Sequence, residues 1–164
     1  MTDNMTDNLH YVTAWQRNDP KLQADAIAMW ADMAILHPSI RPEERAKELV
    51  TLAYVGDRLV GITTAEVKHH APVRQNFAFM RILLRPEFER HGIVVPLTIA
   101  MRETLREWSA ANPAAQVAGC GIIITAKGYG ATPVTAAGLA LAGYTADGLQ
   151  VRLYWWDHFR IAAV

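Results

Sequence analysis

The sequence lacks several features that would place it in a familiar class of protein. It has one cysteine, Cys120, so an internal disulfide and a multi-cysteine metal site are excluded. Lys plus Arg and Asp plus Glu number 16 each, so no overall field recruits nucleic acid or an anionic membrane. No apolar run approaches the ~20 residues of a membrane-spanning helix. We therefore expect no metal, no nucleic-acid partner and no membrane partner.

The N-terminal segment, residues 1–8, is polar and repeats the letters MTDN. It carries neither the basic region nor the apolar region of a signal peptide, which predicts a cytoplasmic protein. We expect this segment to be disordered. The remaining residues, 9–164, are half apolar and suffice for one domain with its own core.

The first half of the chain predicts a strand, two helices and three further strands. Leu9–Trp15 is rich in β-prone residues, and Asp19, followed by a proline, is typical of a helix N-cap. The helix that it begins is amphipathic, and a second short helix follows. Three β-prone runs come next, with a hairpin turn at Gly56-Asp57, and they predict an antiparallel meander.

The second half predicts a long helix from Gly92 to Ala111, then a strand in the apolar run VAGCGIIIT and a closing hairpin. Between that run and the hairpin, Thr132 and the proline after it predict a short helix ending at Gly143. The whole pattern predicts a single α/β domain of the α+β kind. Its sheet is expected to be mixed, mostly antiparallel and flanked by helices.

The stretch RPEFERHGIVVPL joins the third β-prone run of the meander to the long helix. Such a junction points backbone N–H groups at one spot, and the helix dipole favours negative charge there. Gly92 would let the backbone approach a ligand, and Arg90 and His91 could pair with phosphate oxygens. The stretch is read either as a phosphate-holding loop or as a plain strand-to-helix turn.

These residues resemble the GNAT acyltransferase superfamily. Leu84–Phe88 (LRPEF) matches the family's strand end, and Glu89–Val94 (ERHGIV) aligns with its pyrophosphate loop, Arg/Gln-x-x-Gly-x-Gly/Ala. The resemblance implies the GNAT fold and acetyl-CoA as co-substrate. It implies cofactor contacts from the strand end, the loop and one later position, namely Leu83, Leu84, Arg90, His91, Gly92, Ile93, Val94 and Thr132.

The motif departs from the family pattern at several positions. Glu89 stands where the family has Arg or Gln, and Val94 stands where it has Gly or Ala. Thr132 replaces the family's common asparagine, and Leu139 replaces its usual acid, a tyrosine. These departures leave open a second function, a non-catalytic GNAT-fold binding protein with weak or no coenzyme A binding.

Two residues remain as candidates for the chemistry that the resemblance implies. Glu66 near a strand end is the candidate base, and Tyr129 in the loop KGYGA is the candidate acid. His69 and His70 are adjacent and point to opposite sides of a strand, so a metal site is not expected. The predicted function is an N-acetyltransferase whose amine acceptor attacks acetyl-CoA directly. The resemblance also implies a homodimer through the C-terminal strands.

Overall fold

The computed structural model describes residues 6–126 and 129–161. The strands and α-helices follow one another as β1 (Leu9–Thr13), α1 (Pro20–Met33), α2 (Pro42–Ala46), β2 (Leu49–Val55), β3 (Arg58–His70), β4 (Gln75–Leu84), α3 (Val94–Ala111), β5 (Val117–Ile124), β6 (Ala140–Tyr144) and β7 (Gln150–Trp155). Of the N-terminal segment predicted to be disordered, residues 1–5 lie outside the described part, and residues 6–8 form a turn. The predicted domain boundaries stay a prediction.

The seven strands are hydrogen-bonded in the order β1-β2-β3-β4-β5-β7-β6. β1 pairs antiparallel with β2, and β7 pairs antiparallel with both β5 and β6. β4 and β5 run parallel, which requires a crossover connection, and α3 lies in that connection. The sheet is therefore mixed and mostly antiparallel, as the sequence predicts.

The chain divides into two compact units, each built from two segments. The first unit comprises Met1–Ala65 and Arg81–Thr104, and the second comprises Glu66–Met80 and Leu105–Val164. The end of β4 and the start of α3 thus belong to the first unit, whereas β5, β6 and β7 belong to the second.

In the first unit, α1 begins as its sequence predicts. The Asp19 carboxylate accepts hydrogen bonds from the N–H groups of Lys21 and Leu22 at 2.9 and 3.2 Å. One face of the helix is then buried, through Leu22, Ala26, Met29 and Trp30. The Tyr54 hydroxyl donates to Asp25 at 2.7 Å and so ties this helix to β2.

In the second unit, β5 is the buried strand that the apolar run predicts, and Cys120 within it is fully buried. Its two glycines allow close packing. A Cβ on Gly119 would collide with the Tyr154 carbonyl oxygen, and a Cβ on Gly121 would come within 2.8 Å of Leu153 Cδ2. Side chains at these two positions are excluded because the neighbouring strand occupies their space.

The predicted helix from Thr132 to Gly143 is wrong. The described residues between β5 and β6 form no helix, and Val134 pairs with Ala140 in an antiparallel bridge. Thr135 closes the turn between them, because its N–H donates to the Leu139 carbonyl at 2.9 Å and its Oγ accepts from the Leu139 N–H at 3.1 Å. Residues 140–144, predicted to be the end of a helix, form strand β6.

No helix among the described residues combines the length and the apolar character that crossing a membrane requires.

Candidate active site

The loop between β4 and α3 folds as a sequence of tight turns. After β4 ends at Leu84, residues Pro86–Phe88 form a 3-10 turn in which the Phe88 N–H donates to the Arg85 carbonyl at 2.9 Å. The His91 N–H then donates to the Phe88 carbonyl at 3.2 Å. Phe88 is buried, so its ring anchors the turn in the core of the first unit.

Arg85 fixes the start of this loop. Its backbone N–H donates to the Val60 carbonyl at 2.9 Å, and its Nε donates to the Leu59 carbonyl at 3.0 Å. Its Nη1 lies 2.6 Å from a carboxylate oxygen of Asp32 on α1. One side chain therefore connects the loop to both a strand and a helix of the first unit.

A second ion pair supports the 3-10 turn. Arg58 Nη2 lies 2.6 Å from Glu87 Oε1, and the Arg58 guanidinium also lies 5.7 Å from the centre of the Phe88 ring. A hydrogen bond from its own backbone N–H, assisted by Arg58, holds the pKa of Glu87 below its ordinary value. Glu87 is thus a charged part of the base of the loop.

The tip of the loop is open to solvent. Glu89, Arg90, His91 and Gly92 are all exposed, and Gly92 has a φ of +71° with open space where a Cβ would stand. The positive φ explains why glycine suits this position. The side chains of Glu89, Arg90 and His91 therefore flank a stretch of backbone that a ligand can approach.

The first turn of α3 has backbone N–H groups that make no hydrogen bond within the helix. The Leu97 N–H donates to the Ile93 carbonyl at 3.0 Å, and Pro96 has no N–H. The N–H groups of Val94 and Val95 precede the first intrahelical bond, so they face the loop end of the helix. Ile93 is buried as a whole residue, whereas Val94 is exposed, so the accessible surface at this helix start begins at Val94.

The last two side chains of β4, those of Leu83 and Leu84, lie in different environments. Leu84 is buried against Gly61, where an added Cβ would come within 2.6 Å of Leu84 Cδ2. Leu83 is partly buried and lines a cavity of about 390 Å³. Most of this cavity is apolar, with a lining that includes Trp30, Ile35, Leu36, Ile40, Ile62 and Ile82.

The polar part of the cavity lining is cationic or neutral. It consists of His37, Arg45, Thr64 and Arg81. Arg81 Nη1 lies 2.9 Å and Arg45 Nη1 lies 3.3 Å from the same carboxylate oxygen of Glu48. Glu48 itself does not line the cavity, and neither does any other carboxylate among the described residues.

In the second unit, a buried arginine organises the loop that replaces the predicted helix. Arg152 is fully buried, donates from Nη1 to the Thr132 carbonyl at 2.9 Å, and donates from Nη2 to the Gly130 carbonyl at 3.1 Å. Its Nε donates to Gln150 at 3.0 Å, and its guanidinium lies 5.4 Å from the centre of the Tyr129 ring. The candidate acid Tyr129 is thus packed on a guanidinium, and its exposed fraction is 44%.

The other residues singled out from the sequence, Glu66, His69 and His70, also lie in the second unit. Glu66 is half exposed and pairs with Lys68 at 3.0 Å. His69 Nδ1 lies 3.2 Å from Asn76 Oδ1, and burial followed by the nearby His69 lowers the pKa of His70. Residues 6–126 and 129–161 contain no group of three His, Cys, Asp or Glu side chains that could hold a metal ion.

The structure therefore brings together Leu83, Leu84 and the loop residues through Val94 in the first unit. Tyr129 and the Thr132 carbonyl meet at Arg152 in the second unit, and Glu66 belongs to that unit as well. Sequence reasoning missed Arg152. Its signal was a charged residue in the middle of the β-prone run QVRLYW, where Val151 and Leu153 on both sides are also buried.

Comparison with known proteins relates this arrangement to the GNAT fold. No family model matches the sequence, and no curated protein matches it either. The structure is similar to a GNAT-family acetyltransferase from Streptococcus pneumoniae, with a TM-score of 0.51 and 16% identity over 88% of this chain and 96% of that one. The chain therefore has the GNAT fold.

Two further solved structures share this fold. A protein from Pyrococcus horikoshii OT3 matches with a TM-score of 0.57 and 15% identity over 92% of this chain and 99% of that one. N-acetylglutamate synthase from Neisseria gonorrhoeae, solved with coenzyme A and L-arginine, matches with a TM-score of 0.55 and 11% identity. That match covers 93% of this chain and 34% of the synthase.

Proposed function

We propose that this protein is an acyl-CoA-dependent N-acetyltransferase of the GNAT superfamily. The observation that carries the proposal is the loop of the first unit, in which an exposed glycine with positive φ precedes a helix start. Such a junction suits a pyrophosphate because backbone N–H groups and the helix dipole favour negative charge. The shared fold supports the same assignment by analogy.

Within this proposal, the loop holds the pyrophosphate of acetyl-CoA. Arg90 and His91 are exposed at the tip and supply charged or polar hydrogen-bond donors. Glu89 is also exposed and is free to orient away from the phosphates. The backbone of Leu83 and Leu84, at the end of β4, faces the pantetheine arm.

Acetyl transfer by direct attack requires one bond to form and one to break. The neutral amine nitrogen bonds to the thioester carbonyl carbon, the C–S bond breaks, and coenzyme A leaves as a thiolate. The amine loses its proton to a general base and the thiolate takes a proton from a general acid, for which Glu66 and Tyr129 stay the candidates. Cys120 has no part in this scheme, since a fully buried thiol is a poor nucleophile.

Calorimetric titration with acetyl-CoA tests the proposal. We expect binding in the micromolar range for the parent protein and its loss in Gly92→Trp, because the indole would occupy the space above the loop. The matched control is Gly148→Trp, since Gly148 also has a positive φ of +80° and open space around its missing Cβ. No binding to the parent protein at millimolar acetyl-CoA would overturn the proposal.

A second candidate function is a GNAT-fold binding protein without transferase activity. The observation that favours it is Leu139, which replaces the family's acid and is buried in a turn rather than carried on a helix. Under this alternative, acetyl-CoA binds weakly or not at all, and no amine in a broad acceptor screen is acetylated. Tyr129→Phe separates the two functions, because it slows only a protein that acetylates.

The predicted homodimer through the C-terminal strands belongs to the same proposal. β6 is the last strand of the hydrogen-bonded order, and its Tyr144 has an exposed fraction of 59%. Trp155 on β7 is also exposed, at 42%. Light scattering after size exclusion would detect the dimer, and Tyr144→Lys would convert it to a monomer.

A further inference from the structure

We propose that the cavity of the first unit is the acceptor site and selects an amine with an apolar body and a carboxylate, the chemistry of a hydrophobic amino acid. This inference rests on the proposed acetyl transfer, which leaves the acceptor unassigned. It is carried by three observations: the size and apolar character of the cavity, the charge of its lining, and the position of Leu83.

The size and lining of the cavity suit a small apolar ligand. Its volume of about 390 Å³ falls at the lower end of the ~300–1,000 Å³ that small-molecule sites occupy. Trp30 and Ile62 are buried in the wall of the cavity, whereas Ile35, two residues after the end of α1, is exposed. A compact aliphatic or aromatic body would exchange water for these side chains.

The charge of the lining selects against cations. Arg45 and Arg81 line the cavity, whereas Glu48, a carboxylate that contacts both, does not. A guanidinium has five N–H donors, so the contact of Arg45 with Glu48 leaves donors for a ligand carboxylate. A polyamine or an aminoglycoside would meet two guanidinium groups and, among the lining residues that the structure describes, no carboxylate.

Leu83 connects the cavity to the proposed co-substrate. Its side chain lines the cavity, and its backbone lies on the strand end assigned to the pantetheine arm. An acceptor in the cavity would then lie beside the strand that carries the thioester. This placement lies entirely within the first unit.

The test is calorimetric titration of the full chain with L-phenylalanine, phenethylamine and spermidine, with and without coenzyme A. We expect L-phenylalanine to bind, phenethylamine to bind about tenfold more weakly because it lacks the carboxylate, and spermidine not to bind. Arg45→Gln should weaken the binding of L-phenylalanine by about tenfold and leave the binding of phenethylamine nearly unchanged. The matched control is Arg41→Gln, since Arg41 is an exposed arginine just before the same short helix.

A second variant guards against a folding defect in Arg45→Gln. Ile35 is exposed, so Ile35→Asp should fold normally and place a carboxylate at the cavity. We expect this variant to bind L-phenylalanine more weakly and spermidine more strongly than the parent protein. Binding of spermidine to the parent protein, or equal binding of L-phenylalanine and phenethylamine, would overturn the inference.

Failure of the proposed function would give a different result. If L-phenylalanine binds as described but acetyl-CoA does not, the transferase proposal falls and the cavity remains an amino-acid site. If acetyl-CoA binds but none of the three probes does, acetyl transfer stands and the acceptor class is wrong. Each outcome is read from binding heats, so neither depends on detecting acetylated product.

Discussion

Two loops of this molecule are held in opposite ways. The loop at residues 85–93 is fixed at its base by Arg85 and Arg58, whose partners Asp32 and Glu87 are exposed, and its tip is open to solvent. The loop at residues 129–139 is held from within by Arg152, which is fully buried. The first arrangement leaves a surface for a ligand, whereas the second uses a charged side chain to shape the backbone.

The contribution of an arginine contact to stability depends on whether water can reach it. An exposed ion pair contributes little to stability because water competes for both partners. A buried guanidinium has lost its water, so each carbonyl that it reaches satisfies a donor that would otherwise be unpaired. The two loops should therefore respond very differently to loss of their arginines.

The largest expected effect is that of Arg152→Ala. The change removes the Arg152 hydrogen bonds to the Gly130 and Thr132 carbonyls and opens a void in the second unit. The Gly130 carbonyl keeps only a longer bond, 3.3 Å, from Gln150 Nε2. We expect the free energy of unfolding to fall by about 3 kcal/mol, measured by urea denaturation. Arg17→Ala, at an exposed arginine, is the control. A loss no larger than that of the control would show that the loop holds its shape without Arg152.

A smaller loss is expected from Arg85→Gln. The substitution removes the contact with Asp32, which is 63% exposed, and the bond from Nε to the Leu59 carbonyl. The backbone bond from residue 85 to Val60 remains. We expect the free energy of unfolding to fall by about 1 kcal/mol in the same denaturation assay. A loss as large as that of Arg152→Ala would remove the contrast between the two loops.

A similar or slightly smaller effect on stability is expected from Gly92→Ala. The added methyl group enters open space, so the cost is that of the positive φ alone, about 1 kcal/mol. Gly148→Ala, in the hairpin between β6 and β7, should lose about the same amount for the same reason. A much larger loss at Gly92 alone would indicate that the loop packs against neighbours that the structure does not show.

The smallest expected effect is a change in the pKa of Glu87 when Arg58 is replaced. Its pKa is lowered in the folded state, so the stability that it contributes is present above its unfolded pKa and is lost as pH falls through the folded pKa. In Arg58→Gln we expect the pKa of Glu87 to rise only part of the way, because the hydrogen bond from its own backbone remains. Carbon-13 NMR titration measures this pKa, and a return to the ordinary value would contradict the role of the backbone.

The sequence predicted the elements that depend on local signals. Asp19 with its proline located the start of α1, and the hairpin turns at Gly56 and Gly148 were confirmed. The junction at Gly92 was also confirmed, because a strand, a proline turn and a glycine before a helix are all visible in the letters. In each case the residues that specify the structure lie within a few positions of it.

The sequence failed where distant residues decide the structure. The stretch from Thr132 to Gly143 has helix signals, but pairing of residues 140–144 with β7 and the bonds from Arg152 favour a turn and a strand. The cavity was also missed, because its lining comes from three segments far apart in the chain. Tertiary contacts override local propensity in both cases.

The two glycines of β5 have a consequence for how this chain can change over generations. The space beside Gly119 and Gly121 is filled by the backbone and side chains of Tyr154 and Leu153. A relative with a side chain at either position must also have moved the strand next to it. A substitution at Gly119 or Gly121 would therefore have to be accompanied by compensating substitutions in the neighbouring strand.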